Sequence, residues 1–249
     1  SITDGRIDDR RLPYPLSELK AELHVSDRRL ILEQLTARYQ QTTLKARGTR
    51  EGWAAEAPCE FHLEGRRVLL DPKLAQTFPD LAEVWSCLQP AGEIDVDADL
   101  RFDRHGWHPQ IKFTILDGSF AYDEFPYRFQ RSTGTVEVNG ESWNLNLLAH
   151  AGSVPVRLQG DLRGFGKQAV GWVEATGQQL RLDQAFIAAI PEEARRTVAA
   201  FRPAGLVSVY ARFWRETPQE ITHQHLRLGI QRGSLTHTLF PYRIENVQG

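Results

Sequence analysis

His223 and His225 stand two residues apart, and on an extended chain that spacing puts both imidazoles on one face, where a pair can hold zinc or copper. No third ligand at a fixed spacing accompanies them. Arg227 shares their face while Leu226, Leu228 and Ile230 take the other, so the pair reads as a solvated strand face. His105 and His108 flank Gly106-Trp107 and read the same way, around a hairpin turn. Asp95, Asp97 and Asp99 form a row of alternate carboxylates that could take calcium, yet such rows more often keep an exposed sheet face soluble. The glycines of GDLRGFGKQAVG mimic a phosphate-binding loop in composition only; no strand-to-helix junction follows, and they read as a turn. Cys59 and Cys87 belong to no CxxC pair and read as buried thiols rather than a disulfide. GxSxG, HExxH, Walker and kinase signatures are missing, and no nucleophile–base or carboxylate pair stands out. The expectation is a protein that is not an enzyme, with no catalytic residues, metal or cofactor.

The bulk properties narrow the partners. The chain has 249 residues and a net charge of −2 with both signs interspersed, which argues against nucleic acid. No apolar run reaches the roughly 18 to 20 residues of a membrane span, and no signal-peptide pattern opens the chain. It begins Ser1-Ile2-Thr3 and contains no Met, so the expectation is a fragment of a larger protein.

Alternation then supplies the elements. GEIDVDADLRF puts Ile94, Val96, Ala98, Leu100 and Phe102 on one face and charged residues on the other, a strand with one wet side. The pattern returns at Ala21, Leu23, Val25, at Val136, Val138, at Trp143, Leu145, Leu147, Ala149, at Val154, Val156, Leu158, at Val207, Val209, Ala211, Phe213 and at Leu226, Leu228, Ile230. Gly140, Gly152, Gly160 and Gly171 separate several of these strands, as in antiparallel meanders.

Two segments break the alternation. Residues 72–89 carry Leu74, Phe78, Leu81, Trp85 and Leu88 as one helical stripe behind an Asp71 N-cap and Pro72. Residues 184–202 carry Phe186, Ile190, Ala194, Val198 and Phe201 behind Asp183. Pro79 and Pro191 interrupt them, which splits each segment into two short helices. Both end in Pro-Ala-Gly and enter a strand.

Spacing ties these features together. Pro-Tyr occurs at Pro13, Pro126 and Pro241, steps of 113 and 115 residues; Pro90 to Pro203 is 113, and Asp71 to Asp183 is 112. The prediction is a mainly β fold of tandem repeats, each a curled antiparallel sheet of seven or eight strands with one short amphipathic helical segment. Unit one covers residues 5–117, unit two 118–232, and residues 233–249 give the first strand of a third.

The punctuation Ile190-Pro191-Glu192-Glu193 followed by Phe201-Arg202-Pro203-Ala204-Gly205-Leu206, repeated as Phe78-Pro79 and Leu88-Gln89-Pro90-Ala91-Gly92-Glu93, resembles that of AsmA-like and TamB-like envelope proteins. The resemblance covers nearly the whole chain, but its motifs carry no chemistry. It implies a repeating β-groove of the periplasm or cell envelope that moves phospholipid or maintains the outer membrane. Its implied partners are lipid acyl chains and adjoining repeats, with a membrane reached through anchoring segments outside this chain. The expectation is that the amino-terminal anchor of that family lies outside these 249 residues.

The residues expected to line such a groove are Ile94, Val96, Leu100, Phe102, Val136, Val138, Leu145, Leu147, Val207, Val209 and Phe213. The alternative is a closed β-repeat scaffold whose outer strands bind a protein or glycan. What separates the two is whether the apolar faces of successive units join into one open trough.

Overall fold

In the computed structural model the described residues are 1–9, 12–77, 81–123, 125–164, 166–190, 192–237, 240–247 and 249, and within the elements the side chains of 167, 193, 194, 197, 199, 240 and 241 stay outside the description. Fourteen strands form one antiparallel sheet in sequence order. They are β1 (Ile2–Ile7), β2 (Leu16–Val25), β3 (Arg29–Tyr39), β4 (Thr42–Glu51), β5 (Cys59–Leu70), β6 (Ala91–Asp103), β7 (Gly106–Tyr122), β8 (Phe125–Asn139), β9 (Ser142–Ala151), β10 (Val154–Arg163), β11 (Val170–Arg181), β12 (Ala204–Arg215), β13 (His223–His237) and β14 (Phe240–Val247). The order runs from β1 to β14 without a crossover, and the sheet does not close into a barrel. Its helices interrupt the meander twice. α1 (Pro72–Thr77) and α2 (Ala82–Leu88) lie between β5 and β6, and α3 (Gln184–Ala189) and α4 (Glu192–Ala200) lie between β11 and β12.

Short turns make the meander possible. Asn139 and Ser142 pair directly, leaving Gly140 and Glu141 as the turn, and Gly140 takes the left-handed φ of +58° that glycine adopts without a steric cost. The glycine-rich stretch after β10 is likewise a connection between strands, containing a 3-10 turn at Gly166–Gln168.

Bulges interrupt the ladders at defined places. The β5–β6 register shifts between Gly65 and Val68 and the β11–β12 register between Gly177 and Leu180, with Arg67 (φ +52°) and Gln179 (φ +59°) inside the shifts. The β2–β3 register shifts between Ser17 and Lys20 around Glu18 (φ +49°), and the β8–β9 register between Gln130 and Thr133 around Arg131 (φ +48°). An extra residue on one strand bends it and increases its twist.

Part of each helical stripe meets the apolar side of the sheet. Phe186 packs edge-on against Phe125 and Tyr127, with ring centroids 5.6 and 5.8 Å away. Around it, Ala151, Val156, Leu180 and Val207 form the buried cluster, flanked by Phe129, Leu158, Val209 and Ile230. Leu74 is buried, whereas Trp85 is only half-buried and Leu88 and Phe201 are exposed. Phe78, Pro79 and Pro191 of the predicted segments lie outside the described residues, as does the side chain of Ala194.

Two expectations need correction. Six strands fill each interval from one Pro-Tyr pair to the next, β2–β7 after Pro13 and β8–β13 from Pro126, where seven or eight are expected, because β7 and β13 are long continuous strands of 17 and 15 residues. The cysteines are free but half-buried rather than buried.

The sheet does not wrap into a compact body. The chain exposes 16607 Å², against about 11,000 Å² for a compact monomer of this mass. Among the described residues no large apolar side chain is completely buried, and the largest side chain that is fully buried is that of Ser132.

Candidate functional site

Register decides what each face of this sheet offers, because residues paired across strands share a face. One cross-strand row runs Ile2, Ala21, Leu35, Ala46, Leu63, Ala98, Ile111, Val138, Trp143, Leu162 and Gly171, through β1 to β11 without a polar side chain other than the Trp143 indole. A neighbouring row runs Ala37, Leu44, Gly65, Val96, Phe113, Val136, Leu145, Gly160, Val173 and Phe213, through β3 to β12. The apolar faces of the two halves therefore join in register. Ten strand spacings of about 4.8 Å make the longer row about 48 Å long.

All eleven residues predicted to line a groove lie on this face. Ile94, Val138 and Val207 are buried; Val96, Leu100, Phe102, Val136, Leu145, Leu147 and Val209 are half-buried; Phe213 is 41% exposed. The sequence reading missed Ile111 and Phe113 of β7 and Val173 of β11, which complete the rows. Their signal was present as the alternation in IKFTI.

Tyr14 and Tyr127, two of the three Pro-Tyr tyrosines, each anchor a helical segment. The Tyr14 hydroxyl donates to the Leu69 carbonyl at 3.4 Å, and its ring stacks on Tyr39 with centroids 4.5 Å apart. Burial, and then the nearby Asp71 carboxylate, push the Tyr14 phenol well above its ordinary value. Burial, followed by the charge of Asp183, also raises the Tyr127 phenol. Those two aspartates start α1 and α3: Asp71 Oδ1 accepts from the Lys73 N–H at 2.7 Å, and Asp183 Oδ1 accepts from the Phe186 N–H at 2.8 Å.

The opposite face is charged and internally balanced. Asp95, Asp97 and Asp99 share it, and the sequence missed their cross-strand partners on β5. Asp99 Oδ1 lies 2.8 Å from His62 Nδ1, and Arg66 bonds Asp97 at 2.9 Å. The bond to Asp99 raises the His62 pKa above its ordinary range, and the bond to Asp97 raises that of Arg66. His62, Glu64 and Asp97 bring ligand atoms within 4.8 Å of one another, the geometry of a metal cluster. Arg66 reaches the carboxylates of both Glu64 and Asp97, and His62 holds its proton more firmly than usual, so a cation there would compete with two charges already present.

The other histidines have local partners. His223 stacks on Trp214 with centroids 5.4 Å apart, and His225 meets Tyr210 edge-on at 5.9 Å. The Asp103 carboxyl is held down to about 2 by the backbone N–H of His105 and by the His108 ring at 3.0 Å.

Among the described residues no helix is long and apolar enough to cross a membrane. No family model, curated protein or solved structure matches this chain.

Proposed function

We propose that this chain is a non-catalytic segment whose apolar sheet face binds the acyl chains of phospholipids in an open groove. The observation that carries the reading is the pair of apolar rows that cross ten and eleven strands without a break, with side chains such as Val96, Phe113, Val136 and Leu145 only half-buried. Contiguous apolar surface of that extent mark sites of interaction on water-soluble folds. The longer row, at about 48 Å, exceeds the roughly 30 Å hydrocarbon core of a bilayer, so the face has room for more than one lipid.

In this reading the chain is built from two copies of one unit, residues 5–117 and 118–232, with residues 233–249 opening a third. The bulges support it. Glu18 and Arg131 are 113 residues apart, Arg67 and Gln179 are 112 apart, and Gln89 and Arg202, with φ of +42° and +38°, are 113 apart. Gly92 and Gly205 follow the same step, and a Cβ at either would meet backbone of the next strand, at Asp117 and Gly233. A backbone irregularity repeated at one interval is the mark of a duplicated unit. The resemblance to AsmA-like proteins adds a setting, the bacterial envelope, with membrane attachment through other parts of the parent protein.

Native mass spectrometry of the gently purified chain tests the proposal. Co-purified phospholipid, removed by organic extraction and restored by incubation with vesicles, is the expected result. A chain that stays lipid-free under both conditions leaves the closed scaffold, binding a protein or glycan through its outer strands.

A further inference from the structure

Antiparallel order gives the sheet two rims of strand ends. The rim carrying the β5–β6 and β11–β12 connections holds all four helices, and α3 covers it through Phe186 on Phe125 and Tyr127. The other rim carries the β2–β3, β4–β5, β6–β7, β8–β9, β10–β11 and β12–β13 connections. Five of the six tryptophans stand along it: Trp53 between β4 and β5, Trp107 and Trp143 at the starts of β7 and β9, Trp172 near the start of β11, and Trp214 near the end of β12. Trp53 and Trp107 are 54% and 58% exposed. Trp107 touches Phe102, ring centroids 5.2 Å apart, where the apolar face reaches this rim. Exposed Arg28, Arg104 and Arg163 sit at three of the same connections with no side-chain partner among the described residues.

Tryptophan has an apolar body and one N–H donor, and it collects where an apolar phase meets water. Arginine without a carboxylate partner is suited to a phosphate. Resting on the acyl-groove reading above, we propose that this tryptophan rim is where the phosphate-bearing head groups of bound glycerophospholipids leave the groove. Acyl chains lie on the apolar rows, the helix-covered rim is occupied by protein, and the head groups emerge beside Trp53 and Trp107, next to Arg28, whose carbonyl accepts from Gly52 beside Trp53, and Arg104 in the turn before Trp107.

Tryptophan fluorescence of the full chain loaded with nitroxide-labelled phosphatidylcholine tests this. A label on the head group should quench emission, and Trp53→Phe with Trp107→Phe should remove much of that quenching, whereas Trp85→Phe should leave it intact. Arg28→Glu with Arg104→Glu should weaken phosphatidylglycerol binding several-fold while leaving diacylglycerol, which lacks the phosphate, unchanged. Quenching only by a label near the chain end, or loss of head-group quenching in Trp85→Phe, overturns the placement and leaves the groove standing. An equal loss for both lipids in the arginine variant overturns the phosphate contact. No lipid retained by the wild type removes the groove itself, and this placement with it.

Discussion

His62 Nδ1 lies 2.8 Å from Asp99 Oδ1 across β5 and β6, and 112 to 113 residues later Glu174 and Arg212 make the corresponding contact across β11 and β12 at 3.0 Å, with the signs exchanged. Both pairs join neighbouring strands on the charged face. A cross-strand ion pair of this kind fixes register modestly.

The first prediction follows from the sign of the His62 shift. Its folded pKa lies above the ordinary 6.5, chiefly through Asp99, so its stabilising contribution is fully present below 6.5 and is lost as pH rises through the folded value. Asp99→Asn should bring the His62 pKa down, as followed by the ring-proton shifts in an NMR titration, and should weaken that part of the pH dependence of the melting temperature. An unchanged His62 titration in the variant would show that Asp99 is not its partner in solution.

The helix anchor gives the second. Phe186→Ala removes the edge contacts to Phe125 and Tyr127, and because Phe186 is half-buried the cost should be about 2 kcal/mol, below the roughly 3 to 5 of a fully buried Phe. Trp85→Ala should cost about 1 to 3 kcal/mol, since its ring is half-buried and its Nε1 has no partner. Urea denaturation measures both. A change below about 0.5 kcal/mol would mean that the helices are not held to the sheet.

How far these features were legible in the sequence depends on how local their causes are. Asp71 and Asp183 announced the helical segments because an N-cap acts within three residues. The alternation around Ile94 and Val207 gave the strands and their apolar face, because side-chain direction follows strand position. The pairing of Val96 with Phe113, or of His62 with Asp99 from 37 residues away, depends on turn lengths and on bulges such as Gly65 to Val68, which shift register without a sequence signature of their own. The charged row at Asp95, Asp97 and Asp99 was therefore visible and its partners His62 and Arg66 were not.

Ser132 yields a third prediction. It is 2% exposed and its Oγ has no hydrogen-bond partner, so the fold carries the desolvation of an unused hydroxyl. Position 132 lies 113 residues after Leu19, which is apolar and 4% exposed. Ser132→Ala should raise stability by about 0.5 to 1 kcal/mol, read from the urea midpoint. A destabilised variant would reveal a partner for the hydroxyl in solution.

The last prediction separates an open groove from a closed core by placing one charge at two depths of the same face. Val207 is 3% exposed within the cluster around Leu180 and Val156, so Val207→Asp should bury an unpaired carboxylate and cost about 3 kcal/mol or more. Val96 is half-buried in the row between Gly65 and Phe113, where the sheet face is open. Val96→Asp should keep the fold, because its carboxylate reaches water when the groove is empty, and should lose bound lipid, because acyl chains cannot solvate a charge. Circular dichroism melts and lipid extraction from the same preparations give both readings. Equal unfolding of the two variants would place Val96 inside a closed core, whereas a folded Val96→Asp that retains lipid at the wild-type level would put the acyl chains elsewhere on the protein.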